Sequence, residues 1–289
     1  MIVFSVAFGE KYIRHLFERC LPSLLRSEVD EPLSLLVFTT PESNQYFPEY
    51  MDAPYMARFG DRIETVVTKY ERAPGVSQSE VARILSGEML HRAVLTCFER
   101  DEIFVHAVPD LVYSPTALSC SLTLHKLTDR NVAIFNGGVM PGEITSLSAD
   151  ATVDYFFDHM NASWAEHATD DATKVPGFLI GHLVFTKPGQ RTVFCASPNP
   201  FLGRFNATDV LTLSGISAIR TWDHAWLDNL SNQGRLIVEP DLHRAMSLET
   251  EYPALDAKSG QRYLVERWRK NGDDLRRLKF PGTIFQFNG

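Results

Sequence analysis

The segment that most constrains the fold is residues 103–114, Ile103-Phe104-Val105-His106-Ala107-Val108-Pro109-Asp110-Leu111-Val112-Tyr113-Ser114. It opens with apolar, strand-favouring residues, which is typical of a short buried strand. Pro109-Asp110 then indicates a turn, and Ser114-Pro115 indicates the start of a helix with proline near its first position. Ligands of open α/β sheets bind beyond the carboxyl ends of the strands, so Asp110 lies where a binding site is expected.

Alternating strand and helix patterns extend outward from this segment. Continuous apolar runs predict further strands over residues 1–8, 33–38, 63–67 and 132–135. Apolar residues at helical spacing predict helices over residues 13–25, 81–98 and 118–127. Pro22 predicts a kink or an early end in the first helix, and the capping box Ser77–Glu80 predicts the start of the second. This order predicts an α/β protein with a mostly parallel sheet and helices on both faces.

The regular alternation is lost from Gly137 onward. A helix is predicted over residues 153–160, and short strands are predicted over 183–185 and 192–194, with Pro, Gly and Asn between the apolar runs. We find no internal repeat, low-complexity tract or linker. We therefore expect one domain over residues 1–289, with a regular half (1–140) and an irregular C-terminal elaboration (141–289).

Net charge, cysteine spacing and missing motifs argue against several classes of protein. The net charge of -8 and pI near 5.6 argue against a chain that coats nucleic acid. The 4 cysteines form no C-x-x-C pair, which disfavours a zinc knuckle or a redox motif. P-loop, G-x-G-x-x-G and G-x-S-x-G motifs are also missing, which disfavours NTPases, Rossmann dehydrogenases and α/β-hydrolases. No apolar run reaches the length of a membrane span, so we expect a cytoplasmic protein, at most peripheral to the inner face of a membrane.

The strand and turn at 103–114 resemble those of GT-A glycosyltransferases, in which an apolar strand leads into D-x-D or N-P-D and then a helix. Val108-Pro109-Asp110 occupies that turn. Residues 7–13 and 20–25 are also similar to a group of uncharacterised bacterial GT-A-like nucleotide-diphospho-sugar transferases. The resemblance covers the first half well and the second half loosely. It implies a GT-A-like fold, with a nucleotide-sugar-binding half (1–140) and an acceptor-side elaboration (141–289).

The resemblance also implies an activity. A glycosyltransferase of this kind moves a sugar from a nucleoside-diphosphate-sugar donor to a hydroxyl of a glycan or lipid-linked acceptor, as in polysaccharide biosynthesis. One alternative is a catalytically degenerate module that binds a glycan or a protein partner. A nucleotidyltransferase is a weaker alternative, because a Gly-rich basic phosphate loop near the first strand is missing. No feature of the sequence indicates the oligomeric state.

The site-location rule for open sheets selects the residues that follow the predicted strands. The predicted donor contacts are Phe8, Gly9, Glu10, Thr39, Thr40, His106 and Asp110. Asp110 is also the predicted ligand of a divalent cation, Mn or Mg, but Val108 replaces the first acidic residue of D-x-D. Three possibilities follow: a cation held together with Asp223, His224 or Asp241, metal-free transfer with Lys or Arg neutralising the phosphates, or binding without catalysis.

The resemblance implies a second acidic cluster late in the chain, and we predict Asp223, His224 and Asp241 as catalytic residues on that basis. A carboxylate or an imidazole there would deprotonate the acceptor hydroxyl. Simpler interpretations stay open: Asp223 as a helix N-cap, His106 as a packed core histidine, and Glu239 and Asp241 as solvated surface groups.

A basic stretch at 262–279 is the remaining feature with two interpretations. It is either a diphosphate- or membrane-binding face or an ordinary solvated helix.

Overall fold

The computed structural model describes residues 1–70, 78–139, 148–159, 182–187, 190–195, 198–214, 219–249 and 285–289. Its strands are β1 (Ile2–Val6), β2 (Ser34–Thr39), β3 (Ile63–Val67), β4 (Phe104–His106), β5 (Leu111–Tyr113), β6 (Asn131–Gly138), β7 (His182–Lys187), β8 (Gln190–Cys195), β9 (Asn199–Gly203), β10 (Leu236–Val238), β11 (Met246–Glu249) and β12 (Phe285–Asn288). Its α-helices are α1 (Glu10–His15), α2 (Leu21–Leu24), α3 (Pro41–Asn44), α4 (Gln78–Glu99), α5 (Ala117–Thr128), α6 (Ala149–His159), α7 (Ala207–Ser214) and α8 (Ile219–Asn232).

Nine of the described strands form one large sheet. Its order is β3-β2-β1-β4-β9-β6-β11-β5, and β10 pairs with β6. The pairs from β3 to β4 are parallel, as are those that β6 makes with β10 and β11. Strand β9 runs antiparallel to both β4 and β6, and β5 runs antiparallel to β11. The α/β class and the mostly parallel, helix-flanked sheet of the GT-A-like prediction are confirmed.

Both faces of the central strands are covered, which explains their continuous apolar sequences. On one face Val3 and Leu35 pack with residues of α1, α2 and α5. On the other face Phe4 and Phe104 pack with residues of α4, α7 and α8. A third cluster joins β6 to α6, β8 and β12 through Phe135 and its neighbours.

The first helix is interrupted close to Pro22, as predicted. Helix α1 continues into a π-helical segment at Leu16–Cys20 and then into α2, which has Pro22 in its first turn. Proline has no N–H, so the α-helical bond to the carbonyl four residues earlier cannot form. The change of helical pitch just before Pro22 accommodates that lost bond.

Strand β9 lies between β4 and β6 although its sequence, Asn199-Pro200-Phe201-Leu202-Gly203, gives little sign of a central strand. Proline removes a ladder hydrogen bond and is usually confined to edges or bulges. Here the pairing with β6 shifts register between Val132 and Ala133, where Ala133 lies opposite Pro200. The irregularity explains how Pro200 fits inside the sheet.

Candidate functional site

Four parallel strands end at one edge of the sheet. The segments that follow β1, β2, β3 and β4 begin at Ala7, Thr40, Thr68 and Ala107. The structure therefore brings the loops after these strands to the same edge, which we call the carboxyl edge. This is the location at which an open α/β sheet binds its ligands.

The loops after β1 and β2 are tied together by hydroxyl groups. The Gly9 N–H donates to Ser43 Oγ over 2.7 Å, and the Ser43 and Thr40 hydroxyls lie 3.0 Å apart. Gly9 has a φ of +83°, a conformation that favours glycine. Glu10 is exposed at the start of α1. Ser43 was not predicted as a site residue, although it closely follows the turn-like segment Thr40-Pro41-Glu42.

Three of the predicted donor contacts in these two loops are buried or half-buried. Phe8 is half-buried against the cluster that contains Phe4. Thr39 is fully buried within β2, and its hydroxyl has no hydrogen-bond partner among the described residues. Thr40 is also buried, with 4% of its surface exposed, so Gly9 and Glu10 are the predicted residues that lie exposed on this part of the edge.

Asp110 lies on a tight turn. The Leu111 N–H donates to the Val108 carbonyl over 3.1 Å, which places Pro109 and Asp110 at the two central positions. Asp110 is not among the described non-glycine residues with positive φ, so the turn is not type II. Asp110 is half-buried. Burial first, and the Asp110 charge second, raises the pKa of the Cys20 thiol well above its usual value.

His106 belongs to the core and not to the surface of the edge. Its ring is buried and stacks on Phe4 with centroids 4.8 Å apart. Burial lowers its pKa to about 4, against a smaller opposing effect of a hydrogen bond to the Pro200 backbone. The imidazole is therefore neutral near pH 7. This geometry favours the packed, hydrogen-bonded histidine over a donor contact.

Asp241 lies on the loop between β10 and β11. Strand β10 ends beside Ala133 and β11 begins beside Phe135, so the loop leaves the sheet midway along β6. The end of β6 is three residues further on, at Gly138, which is roughly 10 Å along a strand. The Asp241 carboxylate accepts the His243 N–H over 3.0 Å, a local turn contact.

Glu239 is not the solvated surface group that was one interpretation of the sequence. Its side chain is 2% exposed and lies 3.5 Å from the Arg244 guanidinium. Asp223 and His224 lie inside α8, which begins at Ile219, so the N-cap interpretation of Asp223 is wrong. The side chains of both residues, and the basic stretch at 262–279, lie outside the described residues.

The carboxyl edge also contains an acidic residue that the sequence analysis missed. Glu249 ends β11, pairing with Gly138 on one side and with Leu111, the neighbour of Asp110, on the other. Asn136 Nδ2 donates to Glu249 Oε2 over 3.2 Å, and the buried Ser247 hydroxyl donates to Asn136 Oδ1 over 3.1 Å. Sequence alone gave no clear signal, because β11 is four residues long and was not predicted.

Cationic side chains lie at the β3 end of the same edge. Arg92 of α4 donates from one guanidinium nitrogen to Thr68 Oγ1 over 2.8 Å, and Thr68 directly follows β3. The neighbouring Lys69 is exposed. The edge thus combines hydroxyl groups, Glu10 and cations near β1 to β3 with carboxylates near β4 and β11, a distribution suited to a ligand that has both anionic and hydroxyl groups.

The described side chains do not form a metal site by themselves. Across those ranges, no group of three or more His, Cys, Asp and Glu residues is arranged to hold an ion. Asp110 with Glu249 would supply two carboxylates, so a cation there would need oxygen ligands from a bound diphosphate. None of the helices in the described ranges is long and apolar enough to cross a bilayer.

Comparison with known proteins gives distant structural similarities. No family model matches the chain, and no curated protein matches it. S. aureus TarS 1–349 in complex with UDP has 12% sequence identity and a TM-score of 0.47, over 92% of this chain and 64% of that one. The same protein in complex with UDP-GlcNAc gives 10% identity and a TM-score of 0.43, over 92% and 65% of the two chains.

A further similarity involves a protein of Bacillus anthracis assigned as a glucose-1-phosphate thymidylyltransferase, in complex with a sucrose. It has 10% identity and a TM-score of 0.41, over 83% of this chain and 86% of that one. The chain covers 64% of the TarS chain in the UDP complex and 65% of it in the UDP-GlcNAc complex, less than two thirds of its length. Similarities this remote do not assign the chain to a family.

Proposed function

We propose that this protein is a glycosyltransferase that binds a nucleoside-diphosphate sugar along the carboxyl edge and transfers the sugar to a hydroxyl of a glycan or lipid-linked acceptor. The observation that supports this most is the arrangement of the Asp110 turn beside the Gly9 loop, at the ends of the neighbouring parallel strands β4 and β1. In open α/β sheets this is where a phosphate-containing ligand meets loop N–H groups and side chains.

Charge at the edge supports a donor orientation. Lys69 and Arg92 lie beside β3, and Asp110 lies three strands away beyond β4. At about 4.8 Å per strand the separation is roughly 14 Å. In this proposal the nucleotide lies across β1 to β3 and the sugar lies near Asp110. The diphosphate joins these two parts and lies near the Gly9 loop, so the cations beside β3 lie at the nucleoside end and attract the anionic ligand to the edge.

Glu249 is the second-half carboxylate that this proposal assigns to the acceptor, in place of Asp241. It lies next to the Asp110 turn through the Leu111 pair, and Asn136 orients one of its oxygens. In the transfer step the acceptor hydroxyl oxygen bonds to the anomeric carbon and its proton passes to the carboxylate. The bond between that carbon and the phosphate oxygen breaks, and the nucleoside diphosphate leaves with the electron pair.

A binding module without turnover is the second candidate, since Val108 occupies the first acidic position of the D-x-D turn. Release of nucleoside diphosphate separates the two. The purified protein is incubated with UDP-, GDP-, ADP-, CDP- and dTDP-sugars, each with and without manganese. The proposal predicts protein-dependent release from at least one donor, and binding without release from any donor would favour the module.

A further inference from the structure

The loop that carries Asp110 is closed by the hydroxyl of Tyr113. This hydroxyl donates to the His106 carbonyl and accepts the Val108 N–H, each over 3.1 Å. One side chain at the end of the loop therefore binds two backbone groups at its start. The bond from the Leu111 N–H to the Val108 carbonyl closes the turn inside this larger ring.

Tyr113 is itself fixed on several sides. Its side chain is almost completely buried and its ring stacks on Phe201 with centroids 5.1 Å apart. Its N–H donates to Ser23 Oγ over 3.0 Å, and that hydroxyl donates to the Cys20 carbonyl over 2.8 Å. The Tyr113 backbone is thus connected to the helical segment that begins with α1, while its ring is held in the core by Phe201.

We propose that Tyr113 is a positioning residue for the donor site: its hydroxyl holds the turn so that the Asp110 carboxylate faces the bound nucleotide sugar. The inference rests on the proposed function, because it assumes that Asp110 contacts the donor. A turn that is ordered before binding does not have to be ordered by the ligand, and this raises affinity without a new contact.

The phenol keeps its hydrogen-bonding role over a wide pH range. Burial first, and the nearby Cys20 second, raises the pKa of Tyr113 well above its usual value. The hydroxyl therefore stays protonated and can donate to one carbonyl while accepting one N–H. A tyrosine that served only to fill the core would influence the stability of the fold but not the affinity of the folded protein for a nucleotide.

Tyr113→Phe separates these roles, with Tyr55→Phe as the matched control. The Tyr55 hydroxyl also donates to a backbone carbonyl, that of Phe17, and Tyr55 packs against the same apolar cluster. The Kd of each variant is measured by calorimetry for whichever of UDP, GDP, ADP, CDP and dTDP binds the unsubstituted protein most tightly. Unfolding temperatures are measured without ligand.

We expect Tyr113→Phe to weaken nucleotide binding about tenfold, the effect of about one hydrogen bond. Tyr55→Phe should leave the Kd within about twofold, although both variants lower the unfolding temperature. Equal Kd values for Tyr113→Phe and the unsubstituted protein would overturn the positioning role alone. Failure of the unsubstituted protein to bind any nucleotide would instead overturn the proposed function, and with it this inference.

Ser23→Ala provides a second route if Tyr113→Phe does not fold. It removes the acceptor of the Tyr113 N–H but leaves the phenol in place, so a smaller loss of affinity, about threefold, is expected. Deuterium exchange of residues 107–111 should also become faster in this variant and stay unchanged in Tyr55→Phe. Unchanged affinity together with unchanged exchange would contradict the proposal.

Discussion

At the scale of single residues, Glu249 provides the sharpest test of the proposed chemistry. Glu249→Gln keeps the size and the contact with Asn136 but removes the charge that accepts a proton. We expect nucleotide affinity to be retained and release of nucleoside diphosphate to fall by about 100-fold, the lower end of general-base contributions.

The matched control is Glu64→Gln. Glu64 lies on β3, and its carboxylate forms an ion pair with Arg100. Its rate of nucleotide release should equal that of the unsubstituted protein. Normal release by Glu249→Gln would remove Glu249 from the mechanism while leaving the donor site in place.

His106 makes the stability of the fold depend on pH. Its pKa falls from 6.5 to about 4 in the folded protein, chiefly because it is buried. The unfolded chain therefore binds the proton more tightly, and stability is lost as the pH falls from about 6.5 towards 4. Lowering the pH from 7 to 5 should therefore reduce the free energy of unfolding by about 2 kcal/mol through this histidine.

Urea unfolding at both pH values measures this effect in the unsubstituted protein and in His106→Phe. The variant keeps an aromatic ring to stack on Phe4 but has no proton to bind. Its loss of stability from pH 7 to pH 5 should be smaller by about 2 kcal/mol. An identical loss in both proteins would show that the imidazole is not buried as the structure has it.

At the scale of helices and strands, Asp209 joins α7 to the end of α8. It forms a reciprocal cap with Asn206, through bonds of 2.8 and 2.9 Å, and its fully buried carboxylate lies 2.7 Å from an Arg235 nitrogen. Removing one partner of a buried ion pair leaves the other charge uncompensated. Asp209→Ala should therefore destabilise the protein by about 3 kcal/mol in urea unfolding.

Asp154→Ala is the comparison, because it breaks an ion pair with Arg191 in which the Asp154 side chain is 56% exposed. An exposed pair contributes less than about 1 kcal/mol. Similar losses in the two variants would contradict a structural role for the buried Asp209 network.

Most elements of the first half follow from local pattern, as do α6, β7 and β8 of the second half, whose predictions are confirmed, whereas β9, β10 and β11 depend on distant partners. Strand β3 has its predicted bounds, and Pro22 correctly predicted the change in the first helix. Strand β9 was missed because Pro200 suggests a turn, and only the irregular pairing with β6 shows how it fits. Strands β10 and β11 were missed because each is short and is stabilised by β6, more than 90 residues earlier.

At the scale of the whole molecule, the location of the candidate site was predictable because parallel strands end at a common edge. Gly9, Thr40 and Asp110 were identified by this rule, and the structure brings their loops together. Glu249 was not identified, because its position depends on pairing with Leu111 and Gly138, which lie far away in the sequence. His106 was placed at the edge by sequence position, but its orientation into the core depends on the packing of Phe4.

The most direct measurement of the central claim is the unfolding temperature of the protein with increasing concentrations of UDP, GDP, ADP, CDP, dTDP and their sugar conjugates. A ligand that binds only the folded state raises this temperature by mass action. We predict a rise with one nucleoside diphosphate that is lost in Asp110→Ala and kept in Asp61→Ala, a carboxylate at the opposite, amino end of β3. No rise with any nucleotide at millimolar concentration, or an equal rise in Asp110→Ala, would contradict a donor site at this turn.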